Sequence, residues 1–243
     1  MLGDRTIEAL DQLAENFNAG DREGAVKAAR EILRTQRHDY DWFIQSLKND
    51  NLKWFVAEIF SNYPVPKRLL EPLLQAAIHE TNPSMNRYLV EPCISSYGHR
   101  RVNEYLLDVV EGDNDDDIAG AVAALYWANM SLSFNADAPE FALEYASPES
   151  RDAYLAHADV WERKRTTYLR VFLQNEAVRV RQQIIPSLNL DESTYPEEMR
   201  PLVRQAIDIA RAHSDDYIRH RVEVQLGNEK LLRPIPPRNF DPS

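Results

Sequence analysis

The chain has 243 residues and a formal net charge of −11, with 39 acidic and 28 basic side chains. This balance disfavours a protein that depends on general attraction to nucleic-acid phosphates. The single cysteine, Cys93, excludes a disulfide framework and a cysteine-rich zinc site, and we expect it to be a small buried hydrophobe.

The N-terminal region shows apolar residues at helical spacing. Ile7, Leu10 and Leu13 form one such set, and a second set follows at Val26, Ala29 and Leu33. Glycine is scarce, with seven in the whole chain, and no long alternating run typical of a strand is present. The sequence therefore predicts an all-α protein, and we interpret residues 1–48 as N-terminal capping helices.

A repeat begins at residue 49. Asn49, Asn82 and Asp115 are 33 residues apart, and each suits the N-cap of a helix, with Pro83 at the first helical position of the second copy. Similar apolar positions follow each cap: Leu52, Phe55 and Val56; Met85, Tyr88 and Leu89; Ile118, Ala121 and Val122. The recurrence predicts three similar helices whose starts are 33 residues apart.

A second helix recurs on the same period. Leu69, Leu73 and Ala77 correspond to Val102, Leu106 and Val110. A pair of such helices cannot bury its apolar face alone, so the pairs are expected to stack on their neighbours. Further helix starts are expected at Asn175 and Asp215, with a spacing of 40 that makes the repeat imperfect.

These helix pairs, together with the segment VRVRQQI at residues 178–184, resemble HEAT-like repeats of the armadillo-type α-solenoid superfamily. The resemblance implies a right-handed α-solenoid of stacked antiparallel helix pairs over residues 49–232, with an irregular insertion near 131–150 and a Pro-rich tail at 233–243. It also implies that the second helices line a concave surface. Pro72 and Pro92, inside predicted helices, depart from the pattern.

The negative charge is concentrated in one segment. Residues 102–160 contain 13 acidic side chains and one basic residue, Arg151, so this segment carries −12 and the remainder about +1. The densest part is EGDNDDDIAGAV, residues 111–122. It is not a calcium loop, because Ile118 and Ala124 stand where an EF-hand needs glycine and glutamate. The pair His79–Glu80 occurs once and makes no metal site, and we expect no cofactor.

The acidic segment supplies the predicted binding surface. On the helix HRRVNEYLLDVVE, residues 99–111, the acidic side chains project away from the apolar face. With no lysine or arginine expected nearby to neutralise them, they would attract a basic partner. The predicted partner-binding residues are Glu71, Gln75, Arg101, Glu104, Asp108, Glu111, Asp113, Asp115, Asp116 and Asp117.

The function predicted from this surface is protein binding, by a scaffold or by an immunity-type inhibitor that neutralises a basic toxin or nuclease. The competing interpretation is an acidic face that is merely solvated. A further alternative is a HEAT-like enzyme, such as a DNA glycosylase using Trp127, Asp159 and Trp161, or a chromophore lyase. No catalytic motif is recognisable, and the acidic segment disfavours a DNA track.

Three other features complete the sequence prediction. The basic stretch 163–170 is expected to be a solvated helix face in which Arg163 pairs with Asp159, with a phosphate-binding patch as the alternative. The Pro-rich tail is expected to be packed or disordered rather than a polyproline ligand. The chain start lacks the pattern of a secretory signal, and the uncharged run 118–136 lacks basic anchors, so we expect a cytoplasmic protein without a membrane partner.

Overall fold

The computed structural model describes residues 4–35, 40–134 and 142–228. They form twelve α-helices and four short 3-10 helices, and apart from the isolated bridge between Phe134 and Ala146 these residues contain no β-structure. The predicted all-α class is confirmed. The helices are α1 (Asp4–Asn18), α2 (Arg22–Thr35), α3 (Asp41–Ser46), α4 (Lys53–Phe60), α5 (Lys67–Ile78), α6 (Arg87–Val110), α7 (Asp115–Trp127), α8 (Pro148–Leu155), α9 (Ala158–Gln174), α10 (Val178–Ile184), α11 (Arg200–Ala212) and α12 (Asp216–Gln225).

The chain divides into two compact units, one up to Glu162 and one from Arg163 onward. In the first unit α1 packs on α2, α2 packs on α4, and α5, α6 and α7 pack on one another. The N-terminal helices therefore share one unit with the helices around them. In the second unit α12 packs on α10 and α11.

The recurring second helix is present at both predicted positions. Its apolar residues are fully buried in each copy: Leu69, Leu73 and Ala77 in α5, and Val102, Leu106 and Val110 in α6. In the second copy no loop separates the two helices of the pair. Gly98 instead has φ 78° and ψ 163° in the middle of α6, a conformation that favours glycine, and this kinks the helix between its two halves. Pro72 and Pro92 lie inside α5 and α6.

The starts of the first helices differ from the prediction. Asn49 and Asn82 accept hydrogen bonds from the backbone N–H groups of Asn51 and Ser84, at 2.9 and 3.0 Å, in turns that precede α4 and α6. Pro83 lies in the second of these turns and not at the first helical position. An asparagine side chain stabilises such turns as well as helix caps, so the pattern alone does not separate the two.

The cap of α7 is Asn114 and not Asp115. Its Oδ1 accepts hydrogen bonds from the N–H groups of Asp116 and Asp117, at 3.0 and 3.2 Å. Asp115 is therefore the first residue of the helix. The cap predicted for α12 is confirmed, since Asp215 accepts from the Ile218 N–H at 3.0 Å.

Glycine allows α7 to approach α5 closely. A Cβ atom on Gly120 would lie 2.0 Å from the carbonyl oxygen of Ile78, at the last turn of α5. Only a residue without a side chain permits this distance between the two backbones. The first turn of α7 is thereby held next to the C-terminal end of α5.

Two further observations concern the burial of Cys93 and the search for a membrane-spanning helix. Cys93 is fully buried, as predicted, and burial raises the pKa of its thiol to about 12. Within the three described ranges no helix has the length and apolar character needed to cross a membrane. Residues 135–141 of the predicted insertion and the whole Pro-rich tail lie outside the described residues.

Candidate functional site

The side chain of Tyr105, in the second half of α6, is the centre of the candidate site. Gln75 of α5 donates a hydrogen bond from Nε2 to the Tyr105 hydroxyl at 2.8 Å. Burial raises the pKa of Tyr105, the hydrogen bond from Gln75 lowers it, and the negative charges of Glu71 and Asp117 raise it further. Carboxylates from α5 and α7 thus both oppose ionisation of this one hydroxyl group.

Tyr105, Glu71 and Gln75 line a cavity of about 610 Å³ in the first unit. Its volume is in the range of clefts that hold small ligands or side chains. Four of the lining residues are apolar: Ile44, Leu47, Pro72 and Ala76. The other seven carry charge or hydrogen-bonding groups: Lys48, Asp50, Lys53, Glu71, Gln75, His79 and Tyr105.

A largely buried ion pair lies at one side of the cavity. The Lys53 ammonium is 2.6 Å from Oε2 of Glu80 and 2.7 Å from Oδ1 of Asp50, and the Lys53 and Glu80 side chains are only 11% and 7% exposed. Glu80 also accepts a hydrogen bond from the Asn82 N–H at 2.8 Å. Burial lowers the pKa of Lys53, but the hydrogen bonds to both carboxylates outweigh it, so the pKa is raised. Lys53 is charged and neutralised.

His79 and Asp117 connect α5 to α7 at the edge of the cavity. Nε2 of His79 lies 3.0 Å from Oδ1 of Asp117, and the imidazole is 63% exposed. The adjacent residues His79 and Glu80 therefore turn to different partners and do not form a metal-binding pair. More widely, no three His, Cys, Asp or Glu side chains in the described part of the chain are arranged as metal ligands.

Glu104 has a basic neighbour, contrary to the prediction. Arg100, on the same helix, lies 3.6 Å from Glu104 and donates two hydrogen bonds to Asp159, at 2.7 and 2.9 Å. These hydrogen bonds lower the pKa of Asp159 to about 2. The prediction that no arginine lies near the acidic side chains is therefore wrong. Arg100 was left out because the charges were counted from residue 102 onward. The guanidinium bound to Asp159 is that of Arg100, where the sequence predicted Arg163.

The rest of the predicted surface lies on α6, the turn before α7 and the first turn of α7. These residues are exposed: Arg101, Asp108, Glu111, Asp113, Asp115 and Asp116. Among the ten predicted residues, the structure brings Glu71, Gln75 and Asp117 together around Tyr105. Three consecutive aspartates, 115–117, occupy the first turn of α7, where the positive end of the helix dipole favours negative charge. The favourable interaction with the helix dipole thus explains three of the aspartates in this cluster, whereas an N-cap would explain only one.

A second cavity of about 780 Å³ lies elsewhere in the first unit and is lined by Glu91, His99, Tyr126 and Trp127, among others. Arg87 lies beside it, with its guanidinium 5.7 Å from the centre of the Trp127 ring. Glu91 is the one carboxylate in this lining. The pKa of Arg87 is raised, chiefly by its hydrogen bond to Tyr88 and to a smaller extent by the charge of Glu91. This cavity offers less negative charge than the Tyr105 cavity.

The aromatic residues of the enzyme alternative have structural contacts. The Trp127 indole donates to the carbonyl oxygen of Pro83 at 2.7 Å, and the Trp161 ring stacks on Tyr154 with 5.5 Å between the centroids. Both carboxylate oxygens of Asp159 are bound by Arg100. These contacts hold the three side chains in structural roles within the first unit.

The basic stretch at the start of the second unit also has partners. The Arg165 guanidinium lies over the Tyr195 ring at 5.4 Å, and burial lowers the pKa of Lys164 to about 8. Tyr168 is fully enclosed, and burial raises its pKa strongly. This helix segment is therefore partly packed and is not the solvated face that was predicted.

The sequence prediction missed Tyr105, Lys53, Glu80 and His79. A signal for Tyr105 was available, because it lies three residues before Asp108 and thus on the same side of the helix. Lys53 lies in α4, whereas His79 and Glu80 follow α5, and no spacing in the sequence relates Lys53 to Glu80 or His79 to Asp117.

Comparison with known proteins adds no family assignment: no protein-family model matches the chain, and no curated protein or solved structure shows significant similarity to it.

Proposed function

We propose that this chain is a protein-binding module that recognises a basic partner through an acidic surface around Tyr105. The observation that carries the proposal is the cavity that Glu71 of α5 and Tyr105 of α6 line together, with Asp117 of α7 in contact with His79 at its edge. Of the two lysines that line the cavity, Lys48 and Lys53, the second is already neutralised by two carboxylates. Negative charge is thus left available to a ligand.

The surface extends from the cavity along α6. Asp108 lies one turn beyond Tyr105, and the exposed acidic residues 111–116 continue toward the start of α7. A basic partner approaching this side would be accelerated by long-range attraction and would form charge pairs on contact. Binding of this kind weakens as salt is added, because the exposed charges are screened beyond about 8–10 Å.

We further propose that the helices form HEAT-like pairs of a right-handed α-solenoid. The recurrence of the buried triplets of α5 and α6 supports this arrangement. Stacked repeats present a preformed surface, so little ordering is needed when a partner binds. A scaffold and an immunity-type inhibitor of a basic toxin or nuclease are both consistent with an acidic surface of this kind.

Charge reversal with a matched control tests the proposal. Glu71→Lys with Asp108→Lys changes the site, while Glu8→Lys with Glu31→Lys makes the same charge change on exposed positions of α1 and α2. Each tagged variant is used for affinity capture from the native host, followed by mass spectrometry. We expect a basic protein to be captured by the wild type and the control pair and lost with the site pair. Equal capture by all three, or equal loss in both variants, would refute an acidic site at Tyr105.

A further inference from the structure

We propose that the Tyr105 cavity binds an arginine side chain presented by the basic partner. The guanidinium group would lie against Glu71 and Gln75, and the methylene stem against Ile44, Leu47 and Pro72. The identity of the presenting protein rests on the proposed function, but binding of the guanidinium group does not.

The charge of the cavity selects a cation. The charged groups that line it or contact its lining are Lys48 and Lys53, which are positive, and Asp50, Glu71, Glu80 and Asp117, which are negative. These six charges sum to −2. A phosphate or carboxylate ligand would meet repulsion from this set, whereas one positive group is attracted.

The hydrogen-bonding groups select a ligand with several donors. Nε2 of Gln75 is used on the Tyr105 hydroxyl, so the amide oxygen of Gln75 remains as an acceptor. The Glu71 carboxylate supplies two more acceptor atoms in the same cavity. A guanidinium group has five N–H donors in one plane and can bind a carboxylate with two of them at once. An ammonium group has three donors and no such planar fit.

The shape and apolar wall agree with a long side chain. Four apolar residues, Ile44, Leu47, Pro72 and Ala76, line the cavity beside the polar groups. Arginine buries its methylene stem along such a surface while its charged end stays with polar partners. A volume of about 610 Å³ leaves room for the backbone next to the bound side chain.

The test uses small ligands, so it needs no knowledge of the partner. The full-length protein is titrated with N-acetyl-argininamide, with N-acetyl-citrullinamide as the uncharged analogue, and with N-acetyl-lysinamide. Binding is followed by amide NMR shifts at Gln75 and Ala76. We expect saturable binding of the arginine ligand with a dissociation constant on the order of 1 mM. Citrulline should bind at least about 10-fold more weakly, which corresponds to 1.4 kcal/mol, and lysine about 5-fold more weakly.

A matched pair of substitutions locates the binding. Glu71→Gln keeps the size of the side chain and should weaken the arginine ligand about 10-fold. Glu91→Gln removes a carboxylate from the second cavity and should leave the affinity unchanged. The amide spectrum of each variant shows whether the fold is retained.

The proposal is overturned if no ligand shifts the resonances of Gln75 and Ala76 in a saturable manner, if citrulline or lysine binds as tightly as arginine, or if Glu71→Gln has no effect. These outcomes are separate from failure of the proposed function. Charge-dependent capture without arginine binding would support the acidic surface and refute the arginine pocket. Arginine binding without capture of a basic protein would support the arginine pocket and refute recognition of a basic partner protein.

Discussion

The close approach of α7 to α5 at Gly120 should make Gly120→Ala strongly destabilising. The added Cβ would lie 2.0 Å from the carbonyl oxygen of Ile78, where ordinary van der Waals contact begins at 3.4 Å. The two helices would have to separate by about 1.4 Å, and overpacking of this kind costs about 1–3 kcal/mol. Alanine regains about 1 kcal/mol of helix propensity over glycine. With the clash at the upper end of its range, we expect a net loss of about 2 kcal/mol.

The first unit can be followed by its own spectroscopic signal, because all four tryptophans of the chain lie within it: Trp42, Trp54, Trp127 and Trp161. Tryptophan fluorescence during urea or thermal unfolding therefore reports this unit. For a unit of this size a loss of about 2 kcal/mol lowers the melting midpoint by roughly 4–8 °C.

Gly112→Ala is the matched control. Its Cβ would lie 3.1 Å from the Val109 carbonyl oxygen, so an adjustment of a few tenths of an ångström is enough. We expect a change within about 0.5 kcal/mol for this exposed position. A Gly120→Ala protein as stable as wild type, or more stable, would show that α5 and α7 are not in backbone contact at Ile78. The placement of Asp117 beside His79 would then lose its support.

Three further predictions concern charge and capping in the first unit. Lys53→Met leaves the Glu80 carboxylate buried without its ammonium partner, and we expect a loss of about 3 kcal/mol in unfolding experiments. Asn114→Ala removes the two cap hydrogen bonds of α7 and should cost about 1 kcal/mol by the same measurement. The lowered pKa of Asp159, about 2, means that its bond to Arg100 stabilises the folded protein above about pH 4 and that this contribution is lost as the pH falls through 2. Carboxyl NMR titration should give a midpoint near 2, and Arg100→Gln should raise it toward the ordinary value.

Each of these predictions has its own control. The double variant Lys53→Met with Glu80→Gln should recover much of the loss, because no uncompensated charge stays buried. Asp115→Ala, at the position that the sequence indicated as the cap, should cost less than Asn114→Ala. If it costs more, Asp115 is the cap after all. An Asp159 titration near its ordinary pKa in the wild type would contradict the bond to Arg100.

For the acidic segment, a count of charges along the chain predicted some features correctly and missed others. Asp108 is exposed in the structure, as the helical pattern of α6 requires. The prediction that no basic residue lies near this segment was wrong. Arg100 lies just outside the counted segment, and it contacts Asp159, which is 59 positions away along the chain. The helical period places a side chain on one face of its helix, but it does not say which other helix faces it.

The sequence by itself determined the helical class and the buried faces of the recurring second helices. Both follow from apolar residues spaced at the helical period, which is a local property of the chain. Tertiary packing decided the site. Gln75 meets Tyr105 because α5 packs on α6, and Asp117 reaches His79 because Gly120 allows α7 to lie against α5. Lys53 is neutralised because the turn after α5 returns Glu80 to it. These contacts join positions that share no regular spacing in the sequence. They depend on how the helices pack against one another, which the apolar pattern within each helix does not predict.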